Sequence, residues 1–166
     1  MKTLTPMLSL LFCAFLLFSC SQEDDGVYFD ESSEIISPSV TYSEIEIEIL
    51  DLVNEHRLEM GLNELKELNI VSGVADEHTD YMISIGSVNH DNFDVRAGKL
   101  MSSAKAKSIS ENVAYGYKTA QGVVDGWLNS ESHRRAIEDS KKTHFGISIE
   151  SNSQGKYYFT QIFIQK

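Results

Sequence analysis

Apolar residues recur every three or four positions in several stretches of this chain, a spacing that is typical of amphipathic helices. The first stretch follows Ser43, which forms a capping-box signature with Glu46, and it ends where Gly61 interrupts the pattern. This spacing predicts a helix that runs from about residue 44 to Met60. Further helices are predicted over residues 70–85, over a short amphipathic piece at about 94–101, and from a cap at Thr119 through Leu128.

Near the C-terminus, apolar residues recur at every second position instead of every third or fourth. The segments "HFGISIE" and "KYYFTQIFIQ" alternate or run apolar, and "SNSQG" between them suits a tight turn. An antiparallel hairpin is therefore predicted, with His144 on the strand face opposite Phe145. Helices followed by a terminal hairpin indicate an α+β domain in which helices cover a small sheet.

The N-terminal residues predict a leader. Met1-Lys2 precedes an apolar run that is too short to span a bilayer, and "LLFSC" resembles the lipobox that lipoprotein signal peptidase cleaves before cysteine. Residues 1–19 are thus predicted to be a lipoprotein signal peptide, with Cys20 as the lipidation site. A plain secretory signal with an incidental Cys20 is the alternative, and both interpretations place the chain outside the cytoplasm.

Cysteine usage and charge narrow the possibilities further. The only two cysteines, Cys13 and Cys20, lie within or at the end of the leader, so the domain has no disulfide and no cysteine nucleophile. Net charge is −11, and residues 20–50 hold nine acids and no Lys or Arg. Residues 20–42 are interpreted as an acidic flexible tether and residues 43–166 as the domain. No basic stripe favours nucleic-acid binding.

An acylated Cys20, carrying for example palmitate, would attach the domain to a lipid membrane without a spanning helix. The opening "CSQEDD" resembles the acidic signal that directs some lipoproteins to the cell surface. The expected location is therefore extracytoplasmic, with the chain anchored to the bacterial outer membrane. Display at the cell surface is one of the two orientations open to such an anchor. The chain is expected to act as a monomer.

Seven segments of the chain occur in the order and approximate spacing of one known domain. They are "LVNEHRLEMGLNEL", "ADEHTDYM", "VNHDNF", "SENVAYGY", "GWLNSESHRRAI", "HFGISI" and "YYFTQIF". Together they resemble the bacterial CAP domain, also called SCP or pathogenesis-related-1-like. This resemblance implies a three-layer α-β-α sandwich with a small central antiparallel sheet, and a cleft lined by histidines and acids.

Matched motif by motif, the resemblance places His90, Glu111 and His133 in that cleft. Ser130 stands where many animal members carry a glutamate, so the neighbouring Glu131 is a candidate substitute. His144 is a further candidate for the cleft. Where the family usually has glycine before its glutamate, this chain has Ser110, for which an altered turn is expected.

Two imidazoles and one carboxylate are a suitable ligand set for Zn²⁺ or another divalent metal, provided that the histidines are neutral. His90, Glu111 and His133 are therefore candidate metal ligands. The alternative is a hydrogen-bonded cluster with a purely structural role. His56 and His78 lie within helix patterns and are interpreted as structural, as are Asn54 and Arg57 of the "LVNxxR" motif.

Three functions are compatible with these residues. The preferred one is a surface- or envelope-anchored lipoprotein whose cleft binds an unidentified small molecule, lipid or peptide. A metal-assisted peptide or ester hydrolase is the second, although no H-E-x-x-H or G-x-S-x-G motif is present. The third is an interaction module with an empty cleft. The resemblance does not choose among them, because CAP relatives differ in activity.

Overall fold

The computed structural model describes residues 39–166. They form five helices and four strands, in the order α1 (Glu44–Glu59), β1 (Lys66–Glu67), α2 (Asn69–Ile85), α3 (Phe93–Ser103), β2 (Ser108–Tyr115), α4 (Ala120–Leu128), α5 (Glu131–Glu138), β3 (His144–Ser151) and β4 (Tyr157–Gln165). The predicted leader, Cys20 and most of the predicted tether lie outside the described residues. Within residues 39–166, no helix is long and apolar enough to cross a membrane.

The predicted helix ends are confirmed by their hydrogen bonds and dihedral angles. Ser43 donates its backbone N–H to the Glu46 carboxylate at 2.8 Å at the start of α1, and the Thr119 hydroxyl accepts from Gly122 N at 3.1 Å at the start of α4. Gly86 ends α2 in the left-handed region, with φ of 67°. A glycine is suited to this position because a Cβ would be strained there.

The four strands form one sheet in the order β1-β3-β4-β2. The terminal hairpin is confirmed: β3 and β4 pair antiparallel, and β4 also pairs antiparallel with β2. β1 adds a short parallel pair to β3. β2 is therefore the strand at one edge, far from β1 and next to the central β4.

Helices cover both faces of this sheet, which confirms the three-layer sandwich. Alternate residues of β3 and β4 point to opposite sides, so each face carries its own apolar core. On one side, α1, α4 and α5 pack against residues that include Phe145, Phe159 and Phe163, with Trp127 fully buried among them. On the other side, α2 and α3 pack against Ile162 and neighbouring apolar residues.

Helix α2 approaches the sheet most closely at Gly146. A Cβ at this position would lie 2.5 Å from the carbonyl carbon and 2.7 Å from the Cβ of Val71, and it would also contact the Ser72 amide. These distances are shorter than van der Waals contact, so backbone packs directly on backbone here. The close packing fixes α2, and the loop that follows it, relative to the sheet.

Asn54 and Arg57 act as scaffold residues, as their motif predicted. The Asn54 side chain accepts from Leu65 N at 2.8 Å and donates to Leu65 O at 3.0 Å. The buried Arg57 guanidinium donates to the carbonyl of Asn63 in the loop after α1, and it ties α1 to the end of α5 and the segment that follows through the carbonyls of Ile137, Asp139 and Lys142.

One expectation was wrong. Ser110 does not form a turn before Glu111. It lies inside β2 opposite Phe163, where extended backbone needs no glycine.

Candidate functional site

His90 and Glu111 meet at the edge strand of the sheet. His90 lies in the loop between α2 and α3, whereas Glu111 is in the middle of β2. The His90 Nδ1 atom is 2.8 Å from Glu111 Oε1. The Glu111 side chain is 1% exposed, and the His90 side chain is 51% exposed. The structure therefore joins a buried carboxylate to an imidazole that faces solvent.

Arg96 of α3 neutralises the buried carboxylate. Its Nε and Nη2 atoms donate to the two oxygens of Glu111 at 2.8 and 2.7 Å, a bidentate pair in which the guanidinium is also largely buried. The third nitrogen, Nη1, donates to Asp91 O at 2.6 Å. Arg96 thus holds both the acid and the loop that carries His90.

These contacts determine the charge of Glu111. Burial alone raises the pKa of a carboxyl group, but the hydrogen bonds from His90 and Arg96, together with the Arg96 charge, outweigh it and hold the Glu111 pKa below its ordinary range. An ionised carboxylate only accepts hydrogen bonds, so His90 Nδ1 must donate. In the neutral ring, Nε2 then keeps its lone pair for an external partner.

Helix α2 holds the loop that carries His90 through a hydrogen bond. The His78 Nε2 atom donates to Asn89 O at 2.9 Å, and the Asn89 side chain accepts from Asp91 N at 2.9 Å. Asn92 adopts a left-handed φ of 57° just before α3, a conformation that asparagine tolerates. Burial of this ring, which is 2% exposed, lowers the pKa of His78 and so disfavours its charged form.

His133 approaches the same edge from the opposite face of the sheet. It lies in the first turns of α5, and its backbone oxygen accepts from Asn112 Nδ2 at 3.2 Å. Burial lowers the pKa of His133, and the charge of His90 lowers it further. The two imidazoles are thus within electrostatic range of each other across β2, although only His90 touches Glu111.

The other two candidates lie elsewhere. Glu131 is an exposed residue that pairs with Arg135 at 3.3 Å, one helical turn along α5. His144 opens β3, two strands away from β2, and its Nδ1 lies 2.8 Å from the Thr143 hydroxyl. The structure brings neither residue to the carboxylate of Glu111.

The residues present do not fit the three-ligand metal site. Both Glu111 oxygens are occupied by Arg96 and His90, so a divalent cation bound there would have to displace the guanidinium and overcome its charge. In the part of the chain that the structure describes, no three His, Cys, Asp or Glu side chains are grouped to hold a metal ion. The set of His90, Glu111 and His133 as joint ligands is therefore not formed.

Sequence reasoning missed Arg96, although a signal was present. Arg96 and the fully buried Leu100 are four residues apart, so the arginine lies on the buried face of the amphipathic α3. A charged side chain on such a face requires a buried partner. The carboxylate of Glu111 is that partner.

A second missed feature is a group of polar atoms on the α5 side of β2. The Ser110 hydroxyl, Asn112 Oδ1 and both amide atoms of Gln161 are buried without a hydrogen-bond partner among the described residues. Asn112 and Gln161 lie opposite each other in the ladder, 1% and 0% exposed. Such groups cost free energy unless water or a ligand pairs with them.

With this fold and site described, comparison with known proteins defines the class. The sequence profile of the cysteine-rich secretory protein family, CAP, matches residues 50–163. The chain belongs to the CAP family, as its motifs predicted. It does so without the cysteines of the family's name, since its domain has none.

Two curated relatives come from Bacillus subtilis. The chain is 32% identical over 130 residues to the uncharacterized membrane protein YlbC, an alignment that covers 73% of this chain and 34% of YlbC. It is 30% identical over 144 residues to the uncharacterized protein YkwD, covering 82% of this chain and 53% of YkwD. The chain therefore spans about a third to a half of the length of these relatives.

Solved structures show the same fold at lower identity. An outer surface protein from Borrelia burgdorferi superposes with a TM-score of 0.69 at 21% identity, covering 76% of this chain and 96% of that one. An extracellular protein of Bacillus anthracis that contains an SCP domain gives 0.64 at 24% identity, covering 77% and 45%. The domain is thus of a type found in extracellular and surface proteins of bacteria.

Proposed function

We propose that this chain is an extracytoplasmic, lipid-anchored CAP protein that binds a ligand at the edge of β2, between His90 and His133. The observation that carries the proposal is the state of His90. Its ring is half exposed, and its Nδ1 is bound to an acid that is itself buried and paired with Arg96. A fixed imidazole with a free acceptor nitrogen is suited to recognising a ligand that donates a hydrogen bond.

The location is supported by two observations of different kinds. The leader ends in a lipobox-like "LLFSC", and two structural neighbours are described as an outer surface protein and an extracellular protein. In this proposal, Cys20 carries the acyl chains that hold the protein to the outer membrane, and the acidic "CSQEDD" favours its display at the cell surface. The acidic tether separates the domain from that membrane.

A divalent metal such as Zn²⁺ has no part in this proposal. The carboxylate that would bind it is held by a guanidinium at 2.7 and 2.8 Å. Ligand recognition instead uses the imidazoles and the polar groups along β2.

A fragment titration of the full-length chain tests the proposal. The probes are short-chain fatty acids, capped dipeptides and small polar amides, and the readout is the ring resonances of His90 and His133. We expect binding fragments to shift these two rings, and His90→Ala and His133→Ala to weaken binding by tenfold or more. His144→Ala is the matched control and should leave binding unchanged. Fragments that bind only elsewhere on the domain would overturn the proposal.

One observation favours a second function, general-base hydrolysis. A histidine oriented by a carboxylate at 2.8 Å can accept a proton at Nε2 from water. Among the described residues, no serine hydroxyl is hydrogen-bonded to His90 or His133, and the Ser130 and Ser132 hydroxyls lie 3.2 Å from each other. Turnover of a peptide or ester library by the wild type, lost in Glu111→Gln, would support hydrolysis over binding alone.

A further inference from the structure

The hydrogen-bond pattern of β2 determines which of its backbone groups face away from the sheet. At the end of the ladder, Gly116 N donates to Tyr157 O at 2.8 Å, and Asn112 lies opposite Gln161. In an antiparallel pair only alternate residues exchange hydrogen bonds with the partner strand. Even-numbered residues of β2 therefore bond to β4, whereas the odd-numbered residues direct their N–H and C=O groups outward.

The indole of Trp127 confirms independently which backbone groups of β2 point away from β4. Its Nε1 atom donates to Val113 O at 3.3 Å from outside the sheet. Val113 is odd-numbered, so its carbonyl points outward as the pattern requires. The Trp127 contact also covers the end of the edge that lies nearest α4.

The middle of the edge is left open. Among residues 39–166, no backbone or side-chain group hydrogen-bonds to the Glu111 N–H, the Glu111 C=O or the Val113 N–H. An edge strand with unpaired groups is a template for another strand, and proteins usually block it.

The opposite edge of the same sheet is blocked. β1 pairs with the start of β3, and further along β3 the Ile147 amide donates to Ser72 Oγ and the Ile149 amide to Glu46 Oε1, both at 3.1 Å. Among residues 39–166, hydrogen-bond partners thus occur all along one edge of the sheet, whereas the β2 edge receives only the Trp127 indole. The open edge is also the one at which His90, Glu111 and His133 lie.

The unpaired groups along this edge belong to the main chain. The unpaired Ser110 hydroxyl and Asn112 Oδ1 belong to the same strand but lie on its α5 face, where Asn112 is 1% exposed. The Glu111 N–H, the Glu111 C=O and the Val113 N–H follow one another as donor, acceptor and donor. A lipid chain would leave all of them unpaired, at a cost in free energy, whereas a peptide main chain carries the complementary alternation.

We propose that the open edge of β2 binds an extended peptide segment of another protein by strand addition, with His90 and His133 on its two sides. The peptide pairs its main chain with the outward-facing groups of Ile109, Glu111 and Val113. This inference rests on the proposed ligand-binding function and specifies the ligand class for that site.

Amide hydrogen exchange on the unliganded full-length chain is the first test. The Glu111 and Val113 amides should exchange about 100-fold faster than those of Asn112 and Ala114, which bond to β4. Uniform protection along β2 would show that the edge is already paired and would overturn the proposal.

The second test uses a library of capped heptapeptides as the probe. Peptides that bind should slow exchange at Glu111 and Val113 by tenfold or more. N-methylation of the peptide amides that face β2 should abolish binding, and methylation of the alternate amides should leave it intact. Binding that is indifferent to this alternation would overturn strand addition while leaving the His90 cleft as a binding site. Absence of binding across the library would overturn the peptide proposal, and the fragment titration would still decide the proposed function.

A variant of the protein gives a matched control. Ile109→Pro removes an outward-facing N–H without removing a β4 hydrogen bond, and Ile109→Val keeps that N–H. We expect the proline variant to bind library peptides at least fivefold more weakly and the valine variant to bind normally. Equal binding by two folded variants would contradict the proposal. Self-association that depends on this edge, seen by sedimentation, would assign the edge to a second copy of the chain and would also overturn it.

Discussion

At the scale of single residues, the pair of Arg96 and Glu111 is the most consequential interaction of the site. Arg96→Met should destabilise the domain by about 3–5 kcal/mol, because the buried Glu111 would lose its bidentate partner. Urea unfolding of the full-length chain measures this change. Replacing both Arg96 and Glu111 by Met should recover much of the loss.

Arg135→Met is the control for removal of a positive charge. Arg135 and its partner Glu131 are both mostly exposed, so this change should have no measurable effect on the unfolding midpoint. Equal effects of the Arg96 and Arg135 substitutions would show that Glu111 does not depend on the guanidinium.

His78 should make the stability of the domain depend on pH. Burial holds its folded pKa below the ordinary value of about 6.5, so the unfolded chain takes up a proton before the folded one does. The free energy of unfolding should therefore fall as the pH drops below about 6.5. Urea midpoints at pH 7.5 and 5.5 measure the slope.

His78→Gln should make that slope shallower. It should not abolish the slope, because burial also lowers the pKa values of His133 and His144. A slope that is unchanged in the variant would mean that His78 does not stay neutral in the folded state.

At the scale of elements, Gly146 determines how closely α2 packs on the sheet. Gly146→Ala should destabilise the domain by about 3 kcal/mol, because the new methyl group would overlap the backbone of Val71 and Ser72. Gly98→Ala is the matched control within α3. Nothing lies within 4 Å of its added Cβ, so a gain of about 0.5–1 kcal/mol is expected from the better helix propensity of alanine. Similar unfolding midpoints for the two variants would contradict this packing.

The elements that sequence reasoning found are those with a strong periodic pattern. Helix α1 and the β3–β4 hairpin carry apolar residues at a clear spacing, so their type and approximate ends could be predicted. β2 was missed as a strand because Ser110 and Asn112 are polar on one face and Glu111 is polar on the other. α5 was missed because only Ala136 and Ile137 of its eight residues are buried.

The sequence predicted only part of the candidate site. His90 and Glu111 could be selected by their motifs, and the structure brings them into contact. Arg96 has no place in those motifs, and its role depends on where α3 packs, which local periodicity does not specify. The open edge of β2 could not be predicted at all, since it depends on strand order and on the phase of the hydrogen bonds.

At the scale of the whole molecule, the proposed anchor makes a separate prediction. If Cys20 is acylated, the full-length chain should partition into the detergent phase of a Triton X-114 extraction, and Cys20→Ala should move it to the aqueous phase. Cys13→Ala, within the leader, is the matched control and should still partition with detergent. Detergent partitioning that survives Cys20→Ala would rule out lipidation at this residue.

The central claim is that the buried carboxylate of Glu111 fixes His90 with its Nε2 available to a ligand. Two-bond ¹H–¹⁵N correlation spectra of the histidine rings at pH 7.5 test it most directly. We expect the neutral ring of His90 to carry its proton on Nδ1 rather than on Nε2, and Glu111→Gln to weaken this preference. A wild-type His90 that is protonated mainly on Nε2 would contradict the account.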